Sequence, residues 1–292
     1  MQARLIAYPP QQAAIVRTAR LGERVRVGRN ADNELRIDHA SVSRLHAELI
    51  GFDAGWRLRD LRSKNGSHLD GIRVDEAALP RPAWLRLGDV YCEFALLDAS
   101  EAAAEAAGLR ARRAAATAHT ARLDGLQRLD DLLDASLRGA VELAQCERGF
   151  VLLSEGEHFS VRASLALDPQ RLTAREFSGS VGAVRGALEQ RRSVVANDIG
   201  LDPWLSGRAS VVAAGLSALV CLPLLDGERT LGAIYADRTH PGPAITTLDL
   251  ELLEAFAETA ALWIAVRRGS EQLEATAAAD WDGIVRAHGA AA

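Results

Sequence analysis

Four phrases punctuate the first quarter of the chain at intervals suited to short strands and turns: GRNADNEL from Gly28, SVSRLHAEL from Ser41, WRLRDLRSKNGS from Trp56 and DGIRV from Asp70. Around and within them, RLIAY, RVRVG, HAELIGF and WLRL alternate apolar with polar residues. A period of two lines up one face of a strand, and Asp70-Gly71 between two such segments is a hairpin signal. Residues 1–98 therefore read as a β-sandwich of short strands. Trp56 and Leu58 are expected in its core, and Gly66 is expected at a position of positive φ beside Asn65.

The organisation changes near residue 98. From Ala99 to about His119 the chain is rich in alanine, glutamate and arginine and lacks proline, which predicts a helical linker over 99–121. Apolar residues at Leu123, Leu126, Leu129, Leu132, Leu133, Leu137, Val141 and Leu143 keep a helical period with one wet face, so a helix over 122–145 opens a second domain. Helix and strand patterns then alternate to residue 268, an α+β arrangement, and 292 residues suit two domains of ordinary size. The closing helix, Leu248 to Arg267, carries Leu252, Leu253, Phe256, Ala260, Trp263, Ile264 and Val266 on more than one face. Apolar surface in excess of one core predicts a homodimer that buries it with the 122–145 helix. The tail, 269–292, is alanine-rich and polar and reads as a frayed helix.

Composition excludes several classes of function. The net charge of -5 arises from well-mixed acids and bases, with no basic stripe for a nucleic-acid backbone. Cys92, Cys146 and Cys221 lie far apart and are odd in number, which suggests neither disulfide framework nor metal site and fits a reducing cytoplasm. The opening MQARLIAYPPQQ lacks a signal-peptide pattern, and the longest apolar run, Val211 to Leu225, is too short for a membrane helix. Lys64 is the only lysine against many arginines, a bias of GC-rich bacterial genomes. No G-x-x-x-x-G-K-[ST] phosphate loop is present, so ATP hydrolysis is not expected.

Gly28-Arg29, Ser43-Arg44-Leu45-His46 and Ser63-Lys64-Asn65-Gly66, followed by Asp70-Gly71, resemble the forkhead-associated (FHA) domain, a phosphothreonine-binding module. The resemblance implies that Arg29 bonds the phosphate, Ser43 donates its hydroxyl, Arg44 and Lys64 face the phosphopeptide, and Asn65 holds the ligand backbone. It implies that His46 braces the binding loops rather than acting as a base, with Gly28 and Gly66 as structural supports. Arginine suits the task, because charge-assisted bonds to a phosphate dianion are the stronger kind. Asp70 and Ser67 stand where the family often has asparagine and threonine, and both keep turn chemistry.

ERGFVLL, SGSVGAVRGALEQRRSVVANDI, ALVCLPLLDGERTLGAIYADR and the closing helix resemble a GAF domain over 122–268. GAF domains often enclose a small molecule, and the resemblance puts Asn197, Asp198, Arg208 and Ser210 near the mouth of a pocket; helix capping and turn formation around Pro203 account for them equally simply. Cyclic-nucleotide members carry an asparagine-lysine pair, a phenylalanine and an aspartate-glutamate pair where this chain has Asp237-Arg238, Ile245 and Asp249-Leu250. No cofactor is expected, and the sequence names no GAF ligand. The implied function is a non-enzymatic cytoplasmic signalling adaptor, whose partner is a phosphothreonine-containing protein such as a serine/threonine kinase or its substrate. The tail's ADWDGIVRAHG resembles the approach to the ATPase domain of enhancer-binding activators, which implies a transcription regulator as the alternative. A cysteine-dependent GAF enzyme ranks third.

Overall fold

The computed structural model describes residues 2–52, 55–156, 158–167, 180–197 and 216–289, with side chains to residue 274 and that of Arg286. Its amino-terminal part is an all-β sandwich, followed by a helix and then an α+β region. The chain forms two compact units, and the segments 194–197, 216–219 and 238–251 group with residues 2–114 in the first.

Eleven strands build the sandwich: β1 (Gln2–Tyr8), β2 (Ile15–Arg20), β3 (Arg24–Gly28), β4 (Leu35–Arg36), β5 (Ala47–Phe52), β6 (Gly55–Asp60), β7 (Ser67–Leu69), β8 (Ile72–Val74), β9 (Glu76–Leu79), β10 (Ala83–Leu87) and β11 (Val90–Leu97). One sheet runs β2-β1-β11-β10-β7-β8 and the other β4-β3-β5-β6-β9. All pairings are antiparallel except β3 with β4. The alternation in the sequence is the alternation of burial: Ala3, Leu5 and Ala7 of β1, Val25 and Val27 of β3, and Cys92 and Phe94 of β11 point into one core with Trp56 and Leu58. Leu69 pairs with Ile72 across Asp70 (φ 43°) and Gly71 (φ 87°), a two-residue turn with both φ values positive, as Asp-Gly predicts.

Helix α1 (Ala99–Asp124) follows, then α2 (Leu129–Leu143), strands β12 (Arg148–Glu155) and β13 (His158–Leu165), α3 (Val181–Gln190), β14 (Val194–Asn197), β15 (Ala218–Asp226), β16 (Arg229–Arg238) and α4 (Thr247–Gly289). The strands form one sheet in the order β13-β12-β16-β15-β14. A break at residues 125–128 divides the helix expected over 122–145. Gly125 is a poor helix former, and the Leu126 N–H turns back to the Leu123 carbonyl (3.3 Å). In the second unit, Leu132, Leu133 and Leu137 of α2 share a core with Phe150 and Val151 of β12 and Leu253, Phe256 and Ile264 of α4. Helix α4 continues to residue 289, well past the apolar pattern that ended near Arg267. Alanine and glutamate are strong helix formers and no proline intervenes, so the backbone propagates the helix without a core-facing stripe.

Candidate functional site

Three loops meet at one end of the sandwich: residues 29–34 after β3, 37–46 before β5, and 61–66 between β6 and β7. Backbone bonds zip the first two together, from Arg29 N–H to the Ser43 carbonyl (2.9 Å) and from Asn30 N–H to that of Arg44 (3.1 Å). Gly28 sits where they touch. A Cβ there would overlap the Arg44 carbonyl and lie 2.9 Å from Asn33 Nδ2, so the close approach requires glycine. Buried Asn33 completes the seam, donating through Nδ2 to the carbonyls of Asn30 and Arg44 (both 2.8 Å).

His46 ties the second loop to the third. Its fully buried ring accepts the Ser43 N–H at Nδ1 (3.1 Å) and lies with Nε2 3.2 Å from the Gly66 carbonyl. A carbonyl can only accept, so Nε2 carries the proton and the ring is the neutral Nε2–H tautomer. Burial pushes His46 below the usual histidine range, outweighing the Gly66 carbonyl and the Asp60 carboxylate, which pull the other way. Gly66, at φ +78°, presents that carbonyl from a left-handed conformation. Asp60 braces the third loop: it accepts the Ser63 N–H (2.8 Å) and the hydroxyls of Ser63 (2.7 Å) and Ser67 (2.6 Å). Burial raises its pKa, but the bonds from Ser67 and Ser63 prevail and hold it below the usual carboxylate range.

This scaffold brings the five expected ligand residues together. Ser43 Oγ accepts the Lys64 N–H (3.0 Å), which leaves its own hydroxyl proton to donate outward. Asn65 Nδ2 donates to the Ser41 carbonyl (2.8 Å), a loop contact that sequence reasoning assigned to the ligand; its second amide hydrogen and its carbonyl oxygen have no partner among the described residues. Arg29, Arg44 and Lys64 are exposed, and among the described residues none makes an ion pair. Elsewhere in the sandwich Arg4, Arg24, Arg26, Arg36, Arg57, Arg59 and Arg81 are matched to carboxylates, while Arg17, Arg20 and Arg86 make no ion pair among the described residues. Unmatched cations beside a free hydroxyl suit an anionic ligand such as phosphate. Sequence reasoning missed Asn33 and Asp60. The Asp-Leu-Arg-Ser run at 60–63, a side-chain-capped turn, was the available signal for the second.

The GAF candidates divide differently. Asn197 locks onto the backbone of Ile245, accepting its N–H (2.8 Å) and donating to its carbonyl (3.0 Å); Asp198, Arg208 and Ser210 lie outside the described residues. The positions that replace the cyclic-nucleotide pattern are engaged within the protein. Tyr235 donates to buried Asp237 (2.7 Å), which also pairs with Arg148. Asp249 accepts from Thr246 at the start of α4 and pairs with Arg112 at 3.0 Å. Cys92 and Cys221 are buried; burial alone pushes the Cys221 thiol up to about 12 and raises that of Cys92 further. Such thiols are poor nucleophiles at neutral pH. Among the described residues no cluster of histidine, cysteine, aspartate or glutamate could hold a metal ion.

The all-β sandwich with its loop cluster is followed by an α+β domain, and both match known domain families. The family model of the FHA domain matches residues 25–91 and that of the GAF domain residues 128–264, so the chain carries an FHA domain followed by a GAF domain. It is 39% identical over 71 residues to the ABC transporter ATP-binding/permease protein Rv1747 of Mycobacterium tuberculosis, covering 24% of this chain and 8% of that protein. It is 37% identical over 70 residues to the transcriptional regulatory protein EmbR of the same species (24% and 16%), and 26% identical over 133 residues to the nitrogen fixation protein AnfA of Azotobacter vinelandii (44% and 25%). The matches thus span a quarter or less of each relative. Among solved structures, EmbR in complex with a low affinity phosphopeptide is 29% identical, covers 31% of this chain and 24% of that one, and has a TM-score of 0.26.

Proposed function

We propose that the protein is a cytoplasmic signalling adaptor that docks a phosphothreonine through its FHA domain, with the GAF domain serving small-molecule sensing or dimerisation. The partner is a protein phosphorylated by a serine/threonine kinase, or the kinase itself. The observation that carries this reading is the cluster of Arg29, Arg44 and Lys64, unpaired among the described residues, around the outward hydroxyl of Ser43. Arg29 anchors the phosphate, Ser43 donates to it, Arg44 and Lys64 line the peptide, and Asn65 takes the ligand backbone with the hydrogen-bonding capacity that Ser41 leaves over. His46, Gly28 and Gly66 support the loops, and the burial of Cys92 and Cys221, with Cys146 half-buried, disfavours a reactive cysteine pair.

The test is binding to an oriented phosphothreonine peptide library. A bond to a charged group contributes about 1.5 to 3 kcal/mol, so Arg29→Ala is expected to weaken binding from about tenfold to more than a hundredfold. Unphosphorylated and phosphoserine peptides are expected to bind far more weakly. A loss in Arg29→Ala smaller than tenfold would remove Arg29 as the anchor. The transcriptional regulatory protein EmbR among the relatives favours a second reading, the sensory part of a transcription regulator. For this chain alone a gel shift at physiological salt is expected to be blank, because no basic stripe is present.

A further inference from the structure

The loop end carries more positive charge than one phosphate needs. A phosphothreonine brings about 1.5 to 2 negative charges at neutral pH. Arg29, Arg44 and Lys64 already exceed that, and Arg62 is exposed in the same 61–66 loop, again without an ion pair among the described residues. A further cation comes from a different element. Arg73 lies on β8, an edge strand of its sheet, and its guanidinium rests on Gly66: a Cβ on that glycine would stand 2.9 Å from Arg73 Nε and 3.1 Å from Cζ. Gly66 is the residue whose carbonyl faces His46, and it adjoins Asn65, so the Arg73 guanidinium lies at the border of these loops. It too is exposed and reaches no carboxylate among the described residues. The acids of these loops are engaged elsewhere: Asp60 accepts from Ser63 and Ser67, Glu34 pairs with Arg26, Asp38 pairs with Arg36, and Asp32 accepts from Asn30 Nδ2 (3.4 Å).

Resting on the phosphothreonine reading above, we propose that Arg73 is a specificity-determining residue that reads a second anionic group of the same peptide, an acidic side chain or a second phosphate near the phosphothreonine. The domain then selects acidic or multiply phosphorylated segments over neutral ones. Four features of Arg73 carry this: its position beside Asn65, the placement of its guanidinium over Gly66, its exposure, and its lack of an ion-pair partner among the described residues. A guanidinium presents a planar fork to a carboxylate or phosphate.

The experiment measures fluorescence anisotropy of the full chain at low ionic strength with three peptides: a phosphothreonine peptide with neutral flanks, the same peptide with glutamates on both sides, and one with a second phosphorylated residue. The intact protein is expected to bind either doubly anionic peptide at least about fivefold tighter than the neutral one, near the upper range of exposed charge pairs, with the advantage shrinking as salt rises. In Arg73→Gln that advantage is expected to fall below about twofold while affinity for the neutral-flank peptide is kept, and Arg73→Lys should restore it for the glutamate peptide. A gain with glutamate and with phosphate identifies general anion reading; a gain with phosphate alone identifies a second phosphosite, and either supports the proposal. An undiminished advantage in Arg73→Gln, or none in the intact protein, overturns it. If no phosphopeptide binds the intact protein, the phosphothreonine reading itself fails and takes this one with it, a result distinct from tight binding without preference.

Discussion

The ring of His46 joins two loops through both nitrogens, accepting from Ser43 N–H and facing the Gly66 carbonyl, and only the neutral form can do both. Burial holds its pKa below the ordinary value of about 6.5. On acidification the unfolded chain takes up the proton near that value while the folded chain does not, so the unfolded state binds more protons and folding stability falls with pH. Above about pH 6.5 both states are neutral and the contribution is flat. Burial and then Arg86 push His68 down as well, so part of the slope belongs to that residue. Denaturant midpoints of the FHA unfolding transition are thus expected to drop between pH 6.5 and 5. His46→Gln should be less stable throughout but show a shallower drop, the remainder coming from His68; an unchanged slope would separate His46 from the effect. At this scale the sequence displayed the candidate ligand residues, because their spacing is fixed by short loops. It hid Asn33 and Arg73, whose neighbours Arg44 and Gly66 come close only when separate elements fold together, whereas Asp60 could be read only from its local turn to Ser63.

Among elements, strands were legible wherever one face is wet. Strand β1 alternates buried and half-buried along its length, and the Asp70-Gly71 turn follows from its two residues alone. The order β13-β12-β16-β15-β14 was not legible, since its inner strands β15 and β16 are buried on both faces and the pairing of β12 with β16 is long-range. Nor was the seam between α2 and α4. Gly139 lies against Phe256 there, and a Cβ on it would stand 2.5 Å from the ring. A glycine inside a helix normally weakens it, so this one marks the closest approach of two helices. Gly139→Ala would gain helix propensity at an exposed site; here the overlap with Phe256 dominates, and a net loss of about 1 to 3 kcal/mol is expected. Thermal unfolding should register this as a drop of a few degrees in the GAF transition, with phosphopeptide affinity unchanged. A rise in stability would show that Phe256 can move aside.

For the whole molecule the open question is what α4 does beyond its own core. Leu253, Phe256, Ala260 and Ile264, part of the surplus that the sequence assigned to a dimer, are buried within the second unit. Of that surplus Val266 stays 44% exposed, and Leu262 and Leu273, which the sequence reading left out, are 62% and 74% exposed, so the three stand at spacings of four and seven residues on a helix of 43. That spacing is the seam of a coiled coil, and the occupant it fits best is the same helix of a second copy. Sedimentation is therefore expected to give twice the 31.3 kDa chain mass at micromolar concentration, and the double change Leu262→Glu with Val266→Glu should give the single chain without altering affinity for a soluble monovalent phosphopeptide. The two states should separate on a surface. A dimer carries two phosphothreonine sites, and once one is engaged the other binds at high local concentration, so dissociation from densely immobilised phosphopeptide slows by tenfold or more, on the order expected for linked sites. The monomeric variant should lose that slowing and match the soluble affinity. If the intact chain dissociates equally fast at high and low peptide density, its two sites do not act together, and if it sediments as a monomer the stripe on α4 has no second copy to bury it.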